Sequence, residues 1–315
     1  MSKAYFEILR SGINTTYQDT GRSQLYHIGI PFSGAMDKRN FLIANKLVGN
    51  NLKSATIEFA LQGPLLKLKN SEVVFAITGN VKFNIIRKNL NIEKGICYKT
   101  YNLKPEEQLD IISTEKSVYG YMGIQGGFDV DLFWNSYSVN TKAKIGPNNG
   151  EKFLNNQKIF LKNQLINYLF KKIDYLNSKI EFIRVIKGTN YDYFSEISKN
   201  VFIKNEYKVS KLTDRMGMRL EGIKLENNVD TNIRSEGLIK GVIQVPADGM
   251  PIIMLSDHGT IGGYPKIAVV ISADYDKLVQ LPTGAKIKFK LIDLKEAENL
   301  YELYRLETEN ILNRI

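Results

Sequence analysis

The sequence predicts a mainly β protein with few helices, built as two β-rich domains with a helix at the C-terminal end. Three observations predict it. Short runs rich in β-branched and aromatic residues recur along the chain, each bounded by Gly, Pro, Asn or Asp, as strands and turns alternate in a barrel or sandwich. Only one stretch of the first half carries a helical period. The end of the chain, Leu294 to Leu312, repeats apolar residues at helical spacing.

Taken in order, Tyr5 to Leu9 is a short alternating strand, and Ser11-Gly12 turns the chain. Thr15 to Asp37, dense in Gly and polar side chains, reads as a long irregular run of the kind that carries function. Asp37 is the N-cap of a helix through Val48, with Phe41, Ala44, Leu47 and Val48 on one face and Gly49-Asn50 as its stop. Ala55 to Phe59, Leu65 to Leu68, Glu72 to Thr78, Lys82 to Ile86, Leu109 to Ile112 and Val118 to Gln125 are strands. Gly126-Gly127 breaks the pattern, and a boundary follows the Asn148-Asn149-Gly150 turn. Lys158 to Tyr175 is ambiguous between strand and helix.

The second half continues in the same style. Ile180 to Ile186 is a strand and Tyr191 to Lys199 a short helix with Tyr193, Phe194 and Ile197 on one face; Lys208 to Leu212 and then Asp214 to Gly222 lead on towards the glycine-rich loop. Ile252 to Leu255 and Ile267 to Ile271 are buried strands on either side of a glycine-rich loop, and Lys286 to Ile292 is a closing strand. The last helix presents Ala297, Leu300, Leu303, Tyr304 and Ile311. The domains are therefore 1–150, an N-terminal β-barrel-like domain; 151–179, a connecting segment; and 180–315, a C-terminal β-barrel domain with the terminal helix.

Composition limits the partners. The chain has 315 residues, 43% of them hydrophobic, enough for two cores, and no apolar run approaches a membrane span of about 20 residues. The start, Met1 to Gly12, shows no apolar signal core, and Cys97 is the only cysteine, so a cytoplasmic location is expected. An excess of 43 Lys+Arg over 33 Asp+Glu raises nucleic-acid binding. The lysines from Leu132 to Lys172 are instead dispersed among Asn, Ile and Tyr, which describes a solvated surface. No nucleic-acid or membrane partner is expected. Two histidines, His27 and His258, with one cysteine cannot make a Cys/His zinc cluster, so no metal is expected. Glycine-rich phosphate loops, a GxSxG elbow and the Met-Lys pair of a biotin carrier are all missing from the sequence.

Several segments together resemble a known family. They are Gln18 to Arg22 (QDTGR), Gly29 to Asp37 (GIPFSGAMD), Ala44 to Asn50, Thr78 to Asn80, Gly126 to Val130, Thr213 to Gly222 (TDRMGMRLEG), Ser235 to Leu255 and Asp257 to Asp274. In this order they resemble the family named allophanate hydrolase subunit 2, biotin-dependent carboxyltransferase, or the C-type subunit of 5-oxoprolinase, with the last the nearest in character. The resemblance implies a pair of cyclophilin-like β-barrel domains and a sister subunit. It implies one of three activities: ATP-dependent ring opening of 5-oxo-L-proline to L-glutamate, carboxyl transfer from carboxybiotin to urea, or a non-catalytic regulatory role on a kinase-inhibitor-like sister. For the first, the partners are subunits of the 5-oxoprolinase B and A types, and ATP is bound in the complex, not necessarily on this chain. Biotin enters only with the second, on another chain. Two departures stand out: Asn135-Ser136-Tyr137-Ser138 where relatives commonly have Gly-Ser-Arg-Ser, and Asn80 where Asp is common.

The matched motifs supply the site candidates. Lys266, at a strand start after Gly262-Gly263-Tyr264-Pro265, is read as a cation that polarises a carbonyl or holds an anion; the bland alternative is a surface lysine. Asp248 or Asp257 would align an attacking water, while Asp248-Gly249 is also an ordinary turn. Arg215 suits a carboxylate or phosphate, or an ion pair with Asp214 or Glu221, and is expected to converge with Lys266 on one cleft. His258 is expected to support the site from behind. Gln18, Asp19 and Arg22 either brace their loop or touch substrate. Asp214, Glu236, Gln244, Tyr264, Gly262 and Gly263 complete the candidates for substrate or anion binding.

Overall fold

The computed structural model describes residues 3–162, 170–175, 181–229 and 232–315. The chain divides into two compact units. The first comprises Met1–Arg22, Ser33–Leu176 and Glu309–Ile315, the second Ser23–Phe32 and Asn177–Thr308. Residues 23–32, which the sequence reading leaves in the N-terminal domain, thus group with the second unit.

The first unit is made of β1 (Tyr5–Arg10), β2 (Asn14–Gln18), α1 (Lys38–Leu47), β3 (Thr56–Ala60), β4 (Leu65–Lys69), β5 (Val73–Thr78), β6 (Val81–Ile86), β7 (Ile92–Lys94), β8 (Thr100–Leu103), β9 (Gln108–Thr114), β10 (Tyr119–Ile124) and β11 (Lys158–Phe160). They form a six-stranded sheet, β11-β1-β4-β9-β6-β7, and a five-stranded sheet, β2-β3-β10-β5-β8. Period-two alternation turns Phe6 and Ile8, Leu66 and Leu68, and Phe83 and Ile85 inward, where they meet Phe59, Phe75 and Tyr101. Removing one such buried ring costs about 3–5 kcal/mol. β5 and β10 are buried throughout, and Ala76 of β5 packs under Ile43, Leu47 and Val48 around α1. Asp37 caps that helix, as expected, by accepting from the Asn40 amide at 2.9 Å.

The second unit contains β12 (Ile183–Lys187), α2 (Glu196–Lys204), β13 (Tyr207–Val209), β14 (Gly217–Glu221), β15 (Glu236–Gly237), β16 (Val242–Gln244), β17 (Ile252–Met254), β18 (Ile261–Gly262), β19 (Lys266–Val270), α3 (Ser272–Val279), β20 (Lys286–Ile287) and β21 (Phe289–Leu291). The last helix, α4 (Leu294–Asn313), begins in it. Eight strands run in the order β20-β13-β14-β17-β16-β19-β12-β21. The two outermost strands, β20 and β21, are separated by Lys288 alone, so one stretch of chain pairs with both sheet edges and curls the sheet into a nearly closed barrel. Among the described residues, β15 and β18 pair only with each other. Phe202 of α2 stacks on Phe289 at 4.5 Å to seal one side.

The protein is mostly β, as the sequence predicts, but several elements differ. β2 occupies the start of the supposed irregular run; its Thr and Gln side chains are buried and meet polar partners, which hides the strand pattern. β7 and β8 are too short, and α3 too polar in its first turn, to stand out. The Tyr191 to Lys199 helix is instead a 3-10 turn followed by α2, because Ser195 takes the Ser198 amide at 3.1 Å and restarts the helix there. Ile197 is consequently 77% exposed, while Phe194 is buried. On α4, Ala297, Leu300 and Tyr304 pack inward; Leu303 lies off that stripe and faces solvent. Residues 163–169 and Ile180, within two of the expected runs, lie outside the described residues. No described helix is long and apolar enough to cross a membrane.

Candidate functional site

Strand register decides which candidates can act together. Gln244 pairs with both Ile252 and Lys266, so the end of β16, the start of β17 and the start of β19 lie at one end of the sheet. Gly217 pairs with Met254, so the start of β14 and the end of β17 lie at the other. Lys266, Gln244 and the β16–β17 connection carrying Asp248 belong to the first end; Arg215, Asp214 and Asp257 belong to the second. The expected convergence of Arg215 and Lys266 on one cleft is therefore wrong. The three residues of β17 separate the two levels by roughly 7 Å, and Arg215 and Asp257 lie past the far one.

Lys266 is not a surface residue. Its side chain is 3% exposed, and its ammonium donates to Glu236 Oε2 at 3.0 Å and to the Tyr264 carbonyl at 3.3 Å. Its backbone is clasped by a turn that the sequence reading passed over. The Lys266 amide donates to Asn190 Oδ1 at 3.1 Å, and the Asn190 amide donates to the Lys266 carbonyl at 3.2 Å. Gly188 makes this approach possible: a Cβ there would sit 2.2 Å from the Lys266 carbonyl oxygen. Only the dipeptide-style turn signal of Gly188-Thr189 after an apolar strand marks the place in the sequence.

Glu236 sits opposite, on β15, with its side chain 42% exposed. Thr189 Oγ1 and Asn190 Nδ2 reach its carboxylate at 3.5 Å. The Lys266 ammonium holds the Glu236 carboxyl below the usual glutamate value. Gly262 pairs with Glu236, and a Cβ on it would meet Gln244 Nε2 at 2.6 Å, so the glycine lets β18 lie close over the barrel end. Gln244 is buried and donates to the Tyr264 carbonyl at 3.3 Å. Gly263 accepts from the Ile233 amide, and the Tyr264 ring is partly exposed. Asp248 is exposed, and its Oδ1 accepts from the Met250 amide at 3.0 Å, the geometry of a turn that stabilises itself.

At the other end of the sheet, Arg215 makes a two-pronged bond to Asp257, Nε to Oδ2 at 2.8 Å and Nη2 to Oδ1 at 3.1 Å. The two side chains are 6% and 2% exposed. The Asp257 amide also donates to the Arg215 carbonyl at 2.9 Å. Arg215 is thus ion-paired with Asp257, a partner outside the two expected. Asp214 accepts from the Met216 and Gly217 amides and shapes the turn. His258 is buried beside them, its Nδ1 2.6 Å from the Gly259 carbonyl, and burial lowers its proton affinity. The Tyr26 ring stands edge-on to His258 at 6.1 Å, and its hydroxyl donates to the Leu238 carbonyl.

Gln18, Asp19 and Arg22 lie in the first unit. Asp19 is buried and its carboxylate receives the Gly21 and Tyr137 amides and the Ser136 and Ser138 hydroxyls. Gln18 donates to the Val139 carbonyl at 2.8 Å and Arg22 to that of Ser138. The serines of Asn135-Ser136-Tyr137-Ser138 thus hold this loop, and within these four residues the departures from the common pattern fall at Asn135 and Tyr137. Cys97 is half-buried, with its thiol pushed up to about 11 by burial, so it is a poor nucleophile. Among the described residues no His, Cys, Asp and Glu cluster is placed to hold a metal ion.

Known proteins fit this architecture. Residues 28–291 match the carboxyltransferase domain, subdomain A and B. The C-type 5-oxoprolinase subunit of Escherichia coli (strain K12) is 31% identical over 293 residues, covering 92% of this chain and 92% of the relative. That of Haemophilus influenzae is 32% identical over 294 residues, 93% of each. Among solved structures, the urea amidolyase of K. lactis superposes with a TM-score of 0.88 at 28% identity, over 99% of this chain and 20% of that one. The chain therefore spans a fifth of that enzyme, but nearly the whole of the 5-oxoprolinase subunits.

Proposed function

This chain belongs to the carboxyltransferase domain family, subdomain A and B, and from that premise we propose that it is a subunit of a multi-component 5-oxoprolinase. With sister subunits of the B and A types it would open 5-oxo-L-proline to L-glutamate at the expense of ATP. The reaction class rests on likeness to 5-oxoprolinase subunits along nine-tenths of both chains. Its place on this chain rests on one observation: a buried ammonium, Lys266, presented at the end of a barrel to a half-exposed carboxylate.

The chemistry needs such a group. A lactam carbonyl is a poor electrophile, and its hydrolysis puts negative charge on oxygen. A fixed cation in a water-poor setting stabilises that charge because it need not reorganise as the charge develops. The Asn190 and Gly188 clasp fixes the Lys266 backbone, which is the preorganisation required. ATP is assigned to the complex, because the sequence of this chain carries no glycine-rich phosphate loop.

Carboxyl transfer is the second reading, favoured by the superposition on a urea amidolyase. Lys266 would then face the carboxylate of carboxybiotin carried by another chain. Co-expression with the chromosomal neighbours separates the two. The proposal expects 5-oxoproline-dependent release of ADP and glutamate by the reconstituted complex and none by this chain alone. A complex that spends ATP only with biotin and urea, or an isolated chain that turns over 5-oxoproline, overturns it.

A further inference from the structure

The Lys266–Glu236 pair is unequal in three ways. The cation is buried and the anion is 42% exposed. Lys266 stands on β19, flanked by β16 and β12 in the middle of the eight-stranded sheet, whereas Glu236 stands on two-residue β15, whose strand partner is two-residue β18. Lys266 holds Glu236 at 3.0 Å, while Thr189 and Asn190 reach it only at the 3.5 Å limit of a hydrogen bond. Beside Glu236 the surface is open: a Cβ added to Gly237 would meet nothing within 4 Å. A buried ammonium requires an anion, but nothing here requires that anion to be Glu236.

We propose that Glu236 is a resident counter-anion occupying a subsite for a small carboxylate, and that a ligand's carboxylate exchanges with it on Lys266. This rests on the reading of Lys266 as the working cation and names the ligand chemistry it takes. A carboxylate fits better than a phosphate. One lysine neutralises one charge, and the Tyr264 carbonyl oxygen, 3.3 Å from the ammonium, disfavours a dianion. The carboxylates of 5-oxoproline and of carboxybiotin both belong to this class. Exchange leaves Glu236 in water, where a half-exposed carboxylate loses little.

The test is chemical rescue of the full-length chain, with sodium acetate as the probe and chloride holding ionic strength constant. Glu236→Ala strands the Lys266 ammonium and leaves room for acetate. Its melting temperature is expected to fall in chloride and to rise by about 2–4 °C in about 0.1 M acetate. Wild type and the Glu236→Ala/Lys266→Met double variant are expected to show no such rise. Acetate-independent melting of Glu236→Ala, or an equal rise in the double variant, overturns the proposal. If Glu236→Ala fails to fold in chloride, folding restored by acetate supports it. Failure in both is settled with Glu236→Gln: acetate binding about tenfold tighter than wild type by calorimetry supports exchange, and equal binding refutes it. Repeating the series with 5-oxoproline separates the two levels. Rescue by acetate but not by 5-oxoproline upholds the counter-anion and counts against the proposed substrate. Rescue by neither removes the counter-anion and leaves the turnover assay standing.

Discussion

Arg215–Asp257 and Lys266–Glu236 are both ion pairs at ends of the same barrel sheet, yet they are built for different ends. Arg215 and Asp257 are both buried, bonded at two points, and joined again through their backbones. Removing Arg215 strands the buried Asp257 carboxylate, which makes the pair a rivet between the start of β14 and the loop after β17. Lys266 is equally buried, but its partner sits half in water on a minor strand. Burial of one partner only is the arrangement that keeps a cation poised and its anion replaceable. An arginine in a matched motif is thus not a site residue by chemistry alone; the exposure of its partner decides.

The comparison can be broken most severely at the rivet. Arg215→Ala is expected to cost about 3–5 kcal/mol in chemical denaturation, because Asp257 remains as an uncompensated buried charge. The double replacement Arg215→Met/Asp257→Leu should recover much of that loss. A single variant of wild-type stability would make the rivet fictitious.

Next in size is Lys266→Ala, measured on the reconstituted complex. Activity should fall by roughly a hundredfold, about 3 kcal/mol of transition-state stabilisation, while the melting temperature moves by only a few degrees. Full activity would displace the site from this end of the barrel. Gly188→Ala sharpens the point without touching a charge. Its new methyl must push the Lys266 carbonyl away, so about 1–3 kcal/mol of overpacking strain is expected together with a loss of turnover. Lost stability with unchanged turnover would show that the lysine's backbone position is unimportant.

The smallest effect belongs to His258 and is read in pH. Burial lowers its proton affinity below the ordinary 6.5, with Lys240 adding to the effect and the Gly259 carbonyl and Asp257 opposing it. The unfolded chain therefore takes up the proton first as pH falls. The stability contributed by neutral His258 is complete above 6.5 and is lost as pH drops from there through the depressed folded value. Thermal unfolding between about pH 8 and pH 5 should show this fall, and His258→Gln should flatten it. An unchanged slope would mean that other groups carry the titration.

What the sequence made legible were features set by near neighbours. The Asp37 cap and α1, the recurrent strands and most of the α4 stripe follow from residues a few positions apart. The place of Lys266 at a strand start was also legible, since it stands between a glycine-rich loop and an apolar run. Features set at long range were not. β2 is buried despite its polar side chains because the Val139 carbonyl, far along the chain, accepts from Gln18. The opposite placement of Arg215 and Lys266 depends on the pairings Gly217–Met254 and Gln244–Lys266, which no local pattern records. Asn190 escaped notice for the same reason: its role is defined by a strand that arrives some way later in the chain.

The segment Lys286–Leu291 that joins both edges of the barrel has a consequence for how the protein is made. β12 is synthesised early in its unit, yet its parallel partner β21 arrives only near the end. Until then, β12 and β13 each present an unpaired edge to whatever lies nearby, including the edges of other nascent chains. Closure over so long an interval is slow because its entropic cost comes before any pairing repays it. Until Lys286–Leu291 is in place the aggregation hazard of these edges stays open, and a delay at that segment would be felt first as lost soluble yield.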